Sequence, residues 1–468
     1  MIDDQTQRLL EARLASEQAE GRLPSVTAGL IRDGRLAWSG GRGRIADDGG
    51  QSRQPDADVQ YRAGSITKTF VAVAVLRLRD AGRLSLADPV GRHVSGCGAA
   101  AGLTIGQLLS HSSGLRAETA GPWWERTPGT AFEELAAGSL GDDAPRWRPG
   151  RRFHYSNVGY ALLGELLARQ HGMAWDAVIA AELLQPLGMR RTTTRPQPPH
   201  ATGLAVHPHA DLLLPEPEHD AGAMAPAGQL WTTVADLGRW ARFLAGDTGG
   251  LLAAGTLAEM REPQAIEDAP GQPWTAGYGL GLQLWNDGGA RSFGHSGSMP
   301  GFTGMLRIAG ESGDAAVALC NSTTGFSGDL TGDLLAILAR SEPPGREDWT
   351  AAGADAEADA EAADLLGTWY WGPAPHTVTF SGGVLTVQSA GGRSRTLRFR
   401  RGPDGSWAGI DGYHAGEPLV ALRRDDRRVT ALDIGSFVFT RVPYDPQAPV
   451  PGGVDPQGWR PGLADVAG

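Results

Sequence analysis

Leu and Ala recur among charged residues at helical spacing over residues 1–22, which predicts an opening helix. Ser25 to Gly43 then reads as a hairpin. Asp33-Gly34 is the turn between Val26-Thr27-Ala28-Gly29-Leu30-Ile31 and Leu36-Ala37-Trp38. The run Thr69-Phe70-Val71-Ala72-Val73-Ala74-Val75-Leu76 is apolar throughout and predicts a buried helix. From about 80 to 240 the pattern is mostly helical, cut by Gly and Pro. Strand signals return at Tyr278–Trp285, Gly304–Ile308 and Ala315–Cys320. Strands at both ends of a helical middle predict an α+β domain whose sheet is closed by distant segments. Residues 343–363 are rich in Pro and Gly, then in Ala, Asp and Glu, and read as an acidic linker. Beyond it, short alternating strands such as His376–Phe380 and Val384–Val387 sit between Gly, Asp and Ser turns. They predict a small all-β barrel or sandwich. The expected division is therefore 1–342, a linker over 343–363, a β domain over 364–442 and a tail over 443–468.

Composition narrows the function classes. A chain of 468 residues can bury a sizeable core. Net charge is −11 with no basic tract, so the electrostatic footprint of nucleic-acid binding is missing. Cys97 and Cys320 lie far apart, without CxxC or metal-ligand spacing, and read as small buried residues. No metal site is expected. The start, Met1-Ile2-Asp3-Asp4-Gln5-Thr6-Gln7-Arg8, is polar, and no apolar run is long enough to span a bilayer. A cytoplasmic protein is the expectation.

Lysine usage supplies the chemical lead. Lys and Arg together number 42, and Lys68 is the only lysine. Arg can replace Lys wherever only charge is needed. It cannot replace an amine that must lose its proton, because guanidinium stays charged while a buried ammonium does not. Lys68 stands three residues after Ser65 in Ala63-Gly64-Ser65-Ile66-Thr67-Lys68. Gln60–Ala63 reads as extended chain, Gly64 permits a sharp turn, and Ser65 falls at the start of the apolar helix. Residues i and i+3 share a helix face, so the amine can reach the hydroxyl. Ser-x-x-Lys at a helix start is a nucleophile-plus-amine arrangement.

Two further clusters join it. In Phe153-His154-Tyr155-Ser156-Asn157, Tyr155 and Asn157 can point into one site from a loop. Tyr155 can act as a base if a cation lowers its pKa, and Asn157 can donate to a substrate carbonyl and accept from Lys68. In Phe293-Gly294-His295-Ser296-Gly297-Ser298, a glycine-flanked edge strand lets a substrate backbone approach closely.

Taken in order, Ser65-Ile66-Thr67-Lys68, Tyr155-Ser156-Asn157 and His295-Ser296-Gly297 resemble the three motifs of the serine β-lactamase and penicillin-binding-protein family, in its class C β-lactamase-like branch. The blocks Leu103–Leu115, Gln185–Met189 and Ala225–Leu230 are similar too, so the resemblance covers about residues 20–340. It implies a β-lactamase-like α+β domain, an antiparallel sheet with flanking helices plus a helical region. The implied catalytic set is Ser65, Lys68, Tyr155 and His295. Asn157 and Gly297 are implied to face the substrate, and the N–H groups of Ser65 and Ser298 to form an oxyanion hole. The family's third motif is often Lys-Thr-Gly, whose cation holds a substrate carboxylate; His295 and Ser296 stand there instead. Esterases, D-aminopeptidases and peptide-cyclising members carry His.

The β domain is similar to the lipocalin-like appendage of some members, with Gly367-Thr368-Trp369-Tyr370 at its start. The tail Pro451-Gly452-Gly453-Val454-Asp455-Pro456-Gln457-Gly458-Trp459-Arg460 resembles the ending of penicillin-binding-protein-type thioesterases. That likeness implies transfer of a nonribosomal peptidyl thioester with a D C-terminal residue onto Ser65, release by head-to-tail macrolactamisation, and Arg460 as a substrate-facing residue. It implies no cofactor, and as partner a carrier protein that presents the thioester. An esterase or D-amino-acid amidase is the alternative enzyme; an acylated ligand receptor is the alternative without turnover.

Overall fold

The computed structural model describes residues 2–46, 52–343, 362–391, 396–423, 428–445 and 448–451. Most of the expected linker, the tail from 452 onward and Arg460 lie outside the described residues. The chain divides into two compact units, Met1–Pro344 and Gly345–Gly468.

In the first unit the predicted hairpin forms from β1 (Ser25–Arg32) and β2 (Arg35–Gly43). Asp33 and Gly34 both take positive φ, +52° and +68°, the pair a tight two-residue turn requires. The other strands come from the far end: β3 (Ala265–Ile266), β4 (Ala276–Tyr278), β5 (Gln283–Asp287), β6 (Ala290–Met299), β7 (Phe302–Ala309) and β8 (Ala315–Cys320). They assemble antiparallel as β2-β1-β8-β7-β6-β5-β4-β3. β1 therefore pairs with β8 across almost the whole unit, which is the predicted closure by distant segments. Tyr278–Trp285, read as one strand, is in fact β4, a turn and the start of β5. Gly281 at φ +81° makes the break, where a Cβ would lie 2.1 Å from the Ala72 side chain.

Both faces of the sheet are covered. Val26, Ala28 and Leu30 of β1 pack with α1 (Asp4–Glu20) and a C-terminal helix (Leu330–Ser341) in one cluster. Ile31 joins a larger cluster built on α2 (Thr67–Asp80). α2 is buried from Thr67 to Leu76 because the run Phe70–Leu76 is apolar on every face, and its charged last turn reaches the surface. The middle of the unit is less helical than its pattern predicts. Loops and short strand pairs separate the helices there, because loop residues such as Leu115 and Ala144 fill the core as well.

The second unit is a closed antiparallel barrel of eight strands between Gly367 and Thr440. Alternate residues, among them Trp369, Val378, Leu385, Val387 and Phe399, fill its interior. Gly367-Thr368-Trp369-Tyr370 opens its first strand.

Candidate active site

The site begins at a turn. Tyr61–Arg62 is extended, Gly64 takes φ +55°, and Gly64–Ile66 forms a single 3₁₀ turn that leads into α2. Ser65 thus sits just before the α-helix. From Val59 to Leu76 it is the one residue not fully buried, so it is where this segment meets solvent.

Lys68 lies one turn on, with no exposed surface. Its Nζ is 2.9 Å from Ser65 Oγ and donates to the Ala227 carbonyl at 2.7 Å. Burial disfavours the ammonium and brings Lys68 down to about 7; Glu118 and Glu125 oppose part of that shift. A substantial neutral fraction therefore exists at neutral pH. Neutral Lys68 has a lone pair in reach of the Ser65 proton.

Tyr155 forms the next wall, its ring centroid 4.9 Å from Lys68 Nζ. Burial drives its pKa up, and a hydrogen bond to Ser65 offsets only part of that rise. The lowered pKa expected of a tyrosinate base is not found, because desolvation outweighs the Ser65 hydrogen bond. Tyr155 is a phenol, suited to relaying a proton rather than abstracting one.

Asn157 is not on a loop. It opens a helix, Asn157–His171, capped by the Ser156 side chain. Its Nδ2 donates to Glu118 Oε1 at 2.7 Å, and Glu118 is held in turn by Trp124 Nε1. The atom left buried without a partner is Oδ1. Asn157 therefore offers a substrate an acceptor in Oδ1 beside its second N–H, and it does not accept from Lys68.

On the strand wall, β6 is interior to the sheet, but β5 accompanies it only as far as Gly294. Beyond that point the Ser296 N–H meets the Gln283 side chain at 2.7 Å. N–H groups two residues apart leave a strand on the same edge, so the Ser298 N–H emerges past the end of β5. It lies beside the Ser65 turn: a Cβ on Gly64 would fall 2.4 Å from Ser298 N, and one on Gly297 would fall 2.9 Å from Ser65 N. Gly64 and Gly297 thus let two main-chain donors converge, the arrangement an oxyanion needs.

His295 departs from its expected role. It is fully buried, its Nε2 is 2.8 Å from the Tyr278 hydroxyl, and its Nδ1 meets the Ser296 carbonyl. Burial, with the Lys68 charge beside it, pushes His295 down to about 3. Both ring nitrogens are engaged and the ring is neutral, so His295 neither takes a proton from a nucleophile nor supplies a cation.

Sequence reasoning missed Glu118, Gln283 and Tyr278, which carry no local signal. Ala227 and His111 lie in blocks already noted, but with no assigned role. A cavity of about 670 Å³ is lined by Ser112, Arg152, Phe153, Gln264 and Trp274. Phe153 contacts the His111 ring, and the His111 ring lies against Tyr155, so two rings, Phe153 and His111, stand between the cavity and Tyr155. No group of side chains suited to holding a metal occurs among the described residues. Nor is any described helix long and apolar enough to cross a membrane.

Comparison with known proteins agrees with this geometry. The family described as Beta-lactamase matches residues 7–340, and a domain of unknown function matches 358–441. Penicillin-binding protein 4 of Amycolatopsis lactamdurans is 30% identical over 308 residues, covering 61% of this chain and 79% of that protein. A D-stereospecific amidohydrolase from Streptomyces sp. is 26% identical, covering 73% of this chain and 98% of that one at a TM-score of 0.56. SurE, solved with D-Leu, is 24% identical and similar in fold, covering 94% of this chain and 100% of that one at a TM-score of 0.57.

Proposed function

Since the chain belongs to the β-lactamase family of serine hydrolases and acyltransferases, we propose that it takes a peptidyl thioester with a D C-terminal residue onto Ser65 and releases it by macrolactamisation. The observation that carries acyl transfer is the 2.9 Å approach of a buried Lys68 amine to a half-open Ser65. Neutral Lys68 accepts the Ser65 proton as Oγ bonds to the substrate carbonyl carbon. The N–H groups of Ser65 and Ser298 hold the oxyanion. The proton passes from Lys68 through the Tyr155 phenol to the departing sulfur, the C–S bond breaks, and an acyl-enzyme remains. An amine of the same peptide then attacks. Its proton returns through Tyr155 to Lys68 and on to Ser65 as the ester bond breaks.

One feature favours a thioester over a β-lactam or a carboxypeptidase substrate, and a second fits a peptide. The third motif, with a neutral buried His295, offers no cation to a free carboxylate. The Asn157 Oδ1 asks for an N–H, which a peptide supplies. Likeness to a D-stereospecific amidohydrolase supports a D residue at the reacting carbonyl, and the whole-length fold likeness to SurE supports a two-unit enzyme of this kind. A carrier protein is the proposed presenter of the thioester. The amidohydrolase likeness equally favours a second reading, a D-amino-acid amidase or esterase, in which water replaces the amine.

Matched D- and L-ended peptidyl thioesters separate these readings. Intact mass should show acylation on Ser65 with a strong D preference, and chromatography should show mainly macrocycle. Linear acid alone from several D-ended peptides favours the hydrolase. A single adduct without turnover leaves only a receptor.

A further inference from the structure

His111 takes no part in the proton path, yet it is fully buried in the site's wall and adopts φ +53°, a left-handed backbone uncommon outside glycine. Its carbonyl accepts the His154 N–H at 2.8 Å, and its Nδ1 accepts the Ser156 N–H at 3.0 Å. Those two donors flank Tyr155, so one residue grips the tyrosine's main chain from both sides. Its ring also lies against the Tyr155 ring, with centroids 4.0 Å apart and planes at 34°.

An Nδ1 that accepts from a main-chain N–H carries no proton. The ring proton is therefore on Nε2, which is buried without a partner where the ring packs against Tyr160 and Tyr278. Protonated His111 would turn Nδ1 into a donor facing the Ser156 donor and would loosen the 154–156 segment. Burial and the Lys68 charge both oppose that state.

We propose that His111 is a positioning residue: a neutral acceptor that sets the Tyr155 phenol against Ser65 and Lys68. The proposal rests on serine acylation and not on how the acyl group is later released. His295, His154, Tyr155, Tyr160, Tyr278 and Lys68 are the titratable groups around His111; Glu118 and Glu125, further along the same connecting segment, act on Lys68.

Two substitutions test it. His111→Leu keeps apolar bulk and removes the acceptor. His111→Asn keeps an acceptor near the place of Nδ1 and suits a left-handed backbone. Acylation by an activated ester is followed over pH and normalised to the fraction of Ser65 titratable by a phosphonylating reagent. His111→Leu should lower kcat about 100-fold with KM within about threefold. It should also move the acid limb to higher pH, because a displaced Tyr155 admits water to Lys68. His111→Asn should regain about tenfold and keep the wild-type limb. Three results each overturn the assignment: kcat for His111→Leu within about threefold of wild type, an Asn variant as impaired as the Leu variant, or a loss accounted for by titratable sites alone. A wild-type enzyme that the ester does not acylate sinks this inference and the proposed function together. Normal wild-type acylation with an indifferent His111 sinks only this one.

Discussion

The two walls of the site put burial to opposite uses. On the helix wall, Lys68 is fully buried, shifted down to about 7, and keeps one atom aimed at Ser65. On the strand wall, His295 is just as buried and shifted just as clearly, yet both of its nitrogens are spent on Tyr278 and Ser296. A perturbed pKa marks a group taken out of water. Whether the group does chemistry depends on an unoccupied lone pair within reach of the reacting atoms. The strand wall contributes through its main chain instead, by the Ser298 N–H.

The most severe test removes the helix wall's base. Lys68→Arg keeps a cation but cannot accept a proton, and acylation of Ser65, followed by intact mass, should fall about 10³-fold. Retention of a tenth of the rate would end the general-base assignment. Next comes the seam between the walls. Gly64→Ala places a Cβ 2.4 Å from Ser298 N at φ +55°, so it must push the two oxyanion donors apart. A kcat loss of about 10²-fold is expected, with folding cost limited to about 1–2 kcal/mol. Unchanged kcat would mean that the oxyanion lies elsewhere.

His295→Leu probes the strand wall's side chain. It should cost less than about tenfold in kcat. Stability in urea should drop by about 1–3 kcal/mol, since the buried Tyr278 hydroxyl loses the His295 acceptor. A loss as deep as that of Lys68→Arg would erase the contrast between the walls.

The smallest effect is electrostatic. Because the base form of Lys68 is the active one, the acylation rate should fall as pH drops through about 7. Glu125 helps to hold the proton on Lys68. Glu125→Gln should therefore move the acid limb to lower pH, by about a few tenths of a unit at that range. A shift to higher pH would contradict the sign.

Much of this was legible in advance because it is local. The hairpin around Asp33-Gly34 follows from two residues that tolerate positive φ. The Ser65–Lys68 pair follows from one helical turn and from a composition in which one lysine survives. The barrel's alternation shows in runs such as Val384–Val387, though the pattern alone did not separate a barrel from a sandwich. Other readings failed where the deciding neighbour was remote in sequence. Tyr278–Trp285 looked like one strand, but Gly281 must pass against Ala72 of α2. Tyr155 looked like a base until burial set its protonation, and Asn157 looked like a partner of Lys68 until Glu118 took one of its N–H groups and left Oδ1 unpartnered.

Sequence alone determined which atoms are available: a hydroxyl, the chain's only lysine amine, a phenol, and glycines at 64 and 297 where a side chain would block the donors. Periods of 3.6 and 2 residues, and turns set by single residues, are properties a short segment carries with it. Tertiary structure decided what those atoms can do. It left Lys68 a free lone pair, spent both nitrogens of His295, and opened the Ser298 N–H where β5 stops short. Protonation and hydrogen-bond occupancy depend on how much water and which partners surround a group, and those arrive from segments tens to hundreds of residues away.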